Sequence, residues 1–220
     1  MTSETVYKVI EYEDGGRYQG EVLDGKKHGR GAYEYPSGDR YEGDYRDGVK
    51  TGQGTYIWAN GDKYSGEWKD NQQHGYGVCQ YASGNVYEGG WKEDSQHGTG
   101  KCTYASGNIY DGEYKDHKKH GYGVFTWSDG DKYEGDFFEG KQQGKGVYHY
   151  ASGNRFDGQW HNNARHGKGV FYWKESGNRF EGVWVNDKKH GQGKLFTPDG
   201  QVYLQTWGDG QLIKEEPLPN

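Results

Sequence analysis

Tyr64-Ser65-Gly66-Glu67-Trp68-Lys69-Asp70-Asn71-Gln72-Gln73-His74-Gly75-Tyr76-Gly77-Val78-Cys79-Gln80-Tyr81-Ala82-Ser83-Gly84-Asn85-Val86 returns in outline along most of the chain. An aromatic followed two residues later by glycine occurs at Tyr18, Tyr41, Tyr64, Tyr87, Tyr110, Tyr133, Phe156 and Phe180, in steps of 23 residues with one step of 24. Tyr203 continues the spacing, with Gln205 in place of the glycine. With each repeat numbered from its aromatic, glycine recurs at positions 3, 12, 14 and 21, which accounts for 32 of the 40 glycines. A period in this range marks a repeat architecture, in which each unit buries its apolar side against its neighbours.

The order of the glycines overrules what composition alone suggests. Of 220 residues, 30% are hydrophobic and the mean hydropathy is -1.27. Leu, Ile, Val and Phe make up about 13%, below the ~20% expected of a chain that buries an aliphatic core. Yet 21 Tyr, 8 Trp and 7 Phe are far more rings than a disordered chain carries. This composition excludes an aliphatic α/β enzyme, a helical bundle and a helical membrane protein. The periodic glycines then exclude a flexible low-complexity chain.

Positions 1 to 6 alternate aromatic, acidic, Gly, acidic, aromatic, polar, as in Tyr133-Glu134-Gly135-Asp136-Phe137. Positions 14, 16 and 18 continue the alternation, as in Gly123, Phe125 and Trp127. Both segments have the period of a half-buried strand. Turn chemistry follows at Pro36-Ser37-Gly38-Asp39, Ala59-Asn60-Gly61-Asp62 and Ser128-Asp129-Gly130-Asp131. The expected fold is all-β: an elongated, single-layer antiparallel meander of about eight to nine β-hairpin repeats. Glycines at positions 3 and 14 leave holes across which flanking rings lie flat. Positions 7 to 13 are expected to form a longer loop. The expected organisation is a lead-in over 1–8 and a repeat array over 9–213. The array divides into a half repeat (9–17), full repeats (18–202) and a terminal half repeat (203–213), with a flexible tail over 214–220. Gln205 suggests that no further hairpin packs beyond it.

The string Tyr-x-Gly-x-Trp-x-x-x-x-x-His-Gly-x-Gly-x-x-x-Tyr, seen from Tyr64 to Tyr81, resembles the MORN repeat. Eight copies in register, Tyr18 to Val202, carry the resemblance. Thr51 and Gln143 replace the motif's His, and Thr197 replaces an aromatic. The resemblance implies a non-catalytic protein-protein interaction scaffold, similar to MORN subunits of cytoskeletal and ciliary assemblies such as the axonemal radial spoke head of cilia and flagella. It also implies two alternatives: an adaptor for phosphoinositides or membranes, and a regulatory module of an enzyme complex.

The residues themselves point to no catalytic or cofactor chemistry. The repeat histidines His28, His74, His97, His120, His166 and His190 all occupy position 11. Equivalent atoms two strands apart are separated by roughly 10 Å, whereas zinc ligands lie about 2 Å from one ion. Metal binding is therefore not expected, and each imidazole is instead assigned to tying down its loop. Asp129-Gly130-Asp131 lacks the glycine of a calcium loop, because Tyr133 and Glu134 follow. Gly-x-Gly never extends into a phosphate-binding loop. Cys79 and Cys102 share position 16 in successive repeats, about 10 Å apart and beyond disulfide reach, so two free thiols are expected.

A formal net charge of -6 argues against nucleic acid as a partner. The N-terminus shows no signal core, and a cytoplasmic, cytoskeletal location is the expectation. Other proteins, or further copies of this one, are the expected partners, and membrane binding is not. Three surfaces are available to them. One face carries an acidic row that includes Glu42, Asp44, Glu67, Glu88, Asp111, Glu113, Glu134 and Asp136. The loop edge carries Lys26, Lys27, Lys50, Lys118, Lys119, Lys141, Arg165, Lys188 and Lys189. The aromatic face is the candidate protein-binding groove, with Trp68, Trp91, Tyr114, Phe137, Trp160, Trp184 and Trp207 at position 5.

Overall fold

A computed structural model of the chain describes residues 4–219. Met1–Ser3 of the lead-in and Asn220 of the tail lie outside the described residues. Nineteen strands and no helix occur among the described residues, so none of them forms a helix long and apolar enough to cross a membrane. The described residues divide into two compact units, 4–105 with 114–117, and 106–113 with 118–219. Within each unit consecutive strands pair antiparallel, as a meander of hairpins one sheet thick.

Each hairpin joins a seven-residue strand to a nine-residue strand, as in Lys63–Lys69 and Gln72–Gln80. The expected long loop is therefore a two-residue turn. Asp70 and Asn71 have φ of 51° and 68°, and Asn162 and Asn163 have 50° and 69°. Paired positive φ defines the type I′ turn, whose twist matches that of the flanking strands. Asp24-Gly25 and Asp47-Gly48 are the sequence signals for it. Position 12 is a β-bulge: Gly66 faces Gly77, but the next partner of Glu67 is His74. Gly75 there has φ of 59°, a conformation that a side chain would strain.

The position-4 acids close this bulge. Glu67 Oε1 accepts the Tyr76 N–H at 2.9 Å, Asp44 Oδ2 that of Gln53 at 2.8 Å, and Asp136 Oδ2 that of Lys145 at 3.0 Å. Half of the expected acidic row is thus committed to backbone donors. Position-2 acids pair instead with basic neighbours on their own strand, such as Arg40 with Glu42 at 2.9 Å and Arg155 with Asp157 at 2.8 Å. Such exposed pairs each contribute less than about 1 kcal/mol.

The core is aromatic. All eight position-1 rings, from Tyr18 to Phe180, are fully buried at 0% exposure. Each lies across the facing glycines at positions 3 and 14, where a Cβ added to Gly77 would fall 2.5 Å from Tyr64 Cε2. The Tyr64 hydroxyl donates to the Glu67 carbonyl at 2.9 Å, and Tyr110 does the same to Glu113 at 3.0 Å, beside the bulge. Position-5 rings then wedge edge-on between successive position-1 rings. Trp68 stands 5.1 Å from Tyr41 and 5.4 Å from Tyr64, near perpendicular to both. Trp160 repeats this geometry between Tyr133 and Phe156, at 5.1 and 5.5 Å.

Side chains also link each hairpin to the next. Asp62 Oδ1 accepts the Ala82 N–H at 2.7 Å, and Asn85 Oδ1 that of Ala105 at 2.9 Å. At the I′ tips the Gln73 N–H donates to Asp94 at 2.8 Å.

Both ends are more ordered than the sequence suggests. The leading strand Val6–Glu11 starts inside the expected lead-in and pairs with Arg17–Leu23. The terminal half repeat is a whole hairpin, Val202–Gly208 with Gln211–Leu218, so residues 214–218 are strand and not flexible tail. Gln205 does not end the packing. Its buried side chain donates to Glu215 at 2.6 Å and accepts from Trp207 Nε1 at 3.0 Å.

Two outcomes are expected. Gly77→Ala forces a methyl into the Tyr64 ring and costs about 1–3 kcal/mol or more, whereas Tyr64→Phe, the residue natural at Phe156 and Phe180, costs about 1 kcal/mol. Urea unfolding of the two variants checks the order, which reverses if the ring does not rest on the glycines. Burial, with Glu21 adding to it, pushes the Tyr18 phenol up to about 12, and Tyr41, Tyr64, Tyr87 and Tyr133 are pushed further. A folded-state value above the unfolded ~10 gives stability that is complete below pH ~10 and is lost as pH rises through and beyond 12. Absorbance at 295 nm should therefore show the core phenols ionising together with the loss of the circular dichroism signal. Ionisation of every phenol near pH 10 with the fold intact would contradict the burial.

Candidate protein-binding groove

The groove is built from the second strand of each hairpin and the turn that follows it. Positions 16 and 18 place rings side by side along each unit. In the first unit Tyr12, Tyr33, Tyr35, Tyr56 and Trp58 follow one another at 5.7, 4.5, 5.7 and 4.7 Å between ring centres. In the second unit Phe125, Trp127, Tyr148, Tyr150, Phe171 and Trp173 do so at 4.6, 5.2, 4.5, 5.7 and 4.7 Å. Rings at position 18, among them Tyr35, Trp58, Trp127, Tyr150 and Trp173, are half-buried and keep one side accessible. Between Lys119, Gln142 and the second ribbon lies an open depression of about 500 Å³.

The position-5 rings assigned to the groove from sequence lie beneath it. Trp68, Trp91, Tyr114, Phe137, Trp160 and Trp184 are 4–6% exposed, and Trp207 is half-buried. Perpendicular neighbours cover them; Trp68 Nε1 donates to the Gly54 carbonyl and Trp160 Nε1 to Gly146, both at 3.1 Å, while the buried Trp184 Nε1 has no hydrogen-bond partner. They form the floor together with Tyr33 and Phe171, and the accessible rings are those of position 18 with Tyr56, Phe125 and Tyr148 at position 16.

Sequence reasoning missed the role of position 10. The register sets it directly across from position 5, as Tyr45 with Lys50, Trp160 with Arg165 and Trp184 with Lys189. These residues, placed on a basic edge from sequence, instead lie over the rings. Lys27 Nζ is 3.6 Å from the centre of Tyr33, Lys50 Nζ is 4.8 Å from Tyr56 and 4.7 Å from Trp68, and Lys189 Nζ is 4.1–4.6 Å from Phe180, Trp207 and Trp173. A cation over a ring face is attracted by about 0.5–2 kcal/mol. Desolvation nonetheless lowers Lys27 and Lys189 to about 8, with Lys50 and Arg165 respectively adding repulsion, and it lowers Lys50 too. Strand alternation across the I′ turn was the signal that could have separated Lys27 from Lys26.

In repeats 3 and 4 the pairing changes. Gln73 and Gln96 are buried at position 10, and the buried Cys79 and Cys102 stand at position 16. Gln96 Nε2 donates to the Tyr81 hydroxyl at 3.1 Å.

The six histidines lie within strands on the opposite face and not in loops. His28 Nδ1 and His97 Nδ1 sit 3.7 and 3.8 Å from Asp47 and Asp116, and with His166 Nδ1 they lack a hydrogen-bond partner. Among the described residues no three His, Cys, Asp or Glu side chains gather as a metal site.

One solved structure shares this architecture. The wild-type TCP10 domain of Danio rerio CPAP is 13% identical, with a TM-score of 0.51 over 95% of this chain and 99% of that one. The SAS-4 (dCPAP) TCP domain of Drosophila melanogaster, in complex with a proline-rich motif of Ana2 (dSTIL), is 13% identical, with a TM-score of 0.46 over 71% and 85%. At this identity the likeness is one of fold. No curated protein sequence matches the chain. The MORN repeat pattern matches residues 18–40, 41–63, 64–86, 87–109, 110–132, 133–155, 156–177 and 180–202, which are the hairpin units described above. The chain belongs to the MORN-repeat family.

Proposed function

We propose that this chain is a non-catalytic protein-interaction scaffold that receives partner segments along its ring ribbons. One observation carries the reading: the position-18 rings, with Tyr56, Phe125 and Tyr148 at position 16, stay half-buried and accessible over a floor of buried rings. Contiguous apolar surface of this kind marks an interaction site, and Tyr and Trp are the usual anchors. The family resemblance supports a cytoplasmic, cytoskeletal assembly as the setting, and within that a ciliary or flagellar axoneme such as the radial spoke head. The floor rings Trp68, Trp91, Tyr114, Phe137, Trp160, Trp184 and Trp207 act in this reading by holding the accessible rings in place.

Affinity capture from ciliated cells followed by mass spectrometry tests the proposal. Trp127→Ser with Tyr150→Ser should remove specific partners while circular dichroism stays native, and unchanged capture overturns the groove as the docking surface. Trp160→Ser, by contrast, should destabilise the chain by about 3–5 kcal/mol, since it removes a floor ring. Co-sedimentation with phosphoinositide vesicles in a salt-sensitive manner, together with no protein capture, would favour a membrane adaptor instead.

A further inference from the structure

We infer that repeats 1 and 2 bind an acidic polyproline-II segment whose carboxylates, three residues apart, are taken by Lys27 and Lys50. This rests on the groove reading and gives the partner's chemistry for one part of it. Lys27 and Lys50 stand at the same position of adjacent repeats, opposite Val22 and Tyr45 on the ring face. Neither takes part in an ion pair among the described residues; Asp14 and Asp94 act on them only at longer range. Nearby Asp39 is already occupied by the Tyr56 hydroxyl and the Ala59 N–H, at 2.9 and 2.8 Å. Farther along position 10 the situation differs. Arg165 is paired with Asp187 at 3.0 Å, Gln73, Gln96 and Gln142 carry no charge, and Lys119 and Lys189 each stand beside one of these and not beside a second lysine. Repeats 1 and 2 therefore hold two neighbouring, half-buried ammonium groups without counter-ions, in a chain whose formal net charge is -6.

The geometry selects the ligand conformation. This site lies on a sheet face, where the backbone donors and acceptors of Val49–Ile57 are taken up by the flanking strands. An added strand has nothing to pair with, so the occupant binds through side chains. A polyproline-II helix needs no backbone partner and docks on aromatic-lined grooves. Tyr33, Tyr35, Tyr56 and Trp58 supply such a lining. Equivalent positions in adjacent repeats are about 9.6 Å apart, two strand spacings. One polyproline-II turn of three residues rises about 9.3 Å and brings residues i and i+3 to the same side. Same-face residues of an extended strand repeat at about 6.7 Å and miss this spacing. An anionic membrane is disfavoured because both amines are recessed among rings and the chain's net charge repels it.

The test uses the full chain, with tryptophan fluorescence and calorimetry to follow binding of a capped Glu-Pro-Pro-Glu-Pro-Pro peptide. It should bind about tenfold or more tightly than its Gln-for-Glu counterpart, with the difference lost at high salt. The double variant Lys27→Gln, Lys50→Gln carries the residue that repeats 3, 4 and 6 already hold at this position, and it should reduce the acidic peptide to the level of the neutral one. Lys63→Gln, on the other face, should change nothing. Equal binding of the Gln peptide overturns the charge assignment and leaves the groove reading standing. Tighter binding of a helical peptide with Glu at i and i+7 overturns the conformation. No response to either proline peptide, or a response to phosphatidylserine vesicles alone, overturns the proposal, while the groove itself is judged by the Trp127 and Tyr150 capture result.

Discussion

A tyrosine ring lying on a pair of glycines is the contact from which the rest of this structure follows. Two facing strands without Cβ atoms let the position-1 ring approach the backbone itself, so Tyr64 covers Gly66 and Gly77 with its whole face. That ring leaves room for a second to stand edge-on against it, and Trp68 fills the space between Tyr41 and Tyr64. Edge-to-face pairs each contribute about 0.5–1.5 kcal/mol beyond area burial. Repeated from hairpin to hairpin, they replace the aliphatic core that the composition lacks. The hydroxyl completes the arrangement, because the carbonyl at the bulge needs a donor and the ring already points at it.

Most of this was legible in the sequence, because glycine and aromatic periodicity is a direct imprint of the contact. The period, the two-faced strands and the holes were all expected, and each is found. What escaped was the segment between the two halves of each repeat. The bulge at Gly75 interrupts alternation, so a nine-residue strand looks like a loop unless Asp70-Asn71 is recognised as an I′ turn. That error carried Lys27 and Lys50 to an edge they do not occupy, and it carried the histidines into loops. A second limit was depth. Alternation identifies the ring face, but it cannot rank rings on that face, and the floor at position 5 and the accessible row at positions 16 and 18 look the same in one dimension.

The groove differs along its length in a way that composition averages out. Lys over Tyr in repeats 1 and 2 gives a cationic, ring-lined surface, whereas Gln over Cys in repeats 3 and 4 gives a neutral one with smaller side chains. In the second unit Lys119 over Phe125 and Lys189 over Phe180 and Trp207 restore positive charge, whereas Arg165 over Trp184 is paired with Asp187. Position 10 and position 16 thus change from repeat to repeat over a floor that stays buried.

The bonds that reach from Asp62 to Ala82, from Asn85 to Ala105 and from Gln73 to Asp94 have a consequence for how such a chain changes length in evolution. Each hairpin finishes its own tips with groups borrowed from the following copy; the backbone bond recurs from Gly48 N–H onto the Lys27 carbonyl through Gly210 onto Lys189, while the turn side chain differs, being glycine at 48, 140 and 210. Loss or duplication of one whole copy therefore rejoins matching donors and acceptors at the scar, while a cut of any other size leaves them out of phase. The single extra residue of the seventh copy is found where this phase is most forgiving, in the wide turn Lys174-Glu175-Ser176-Gly177, where Trp173 still closes onto Asn178 at 3.0 Å. Such a gene lengthens or shortens in whole copies, and the surviving chemistry at each copy is inherited intact.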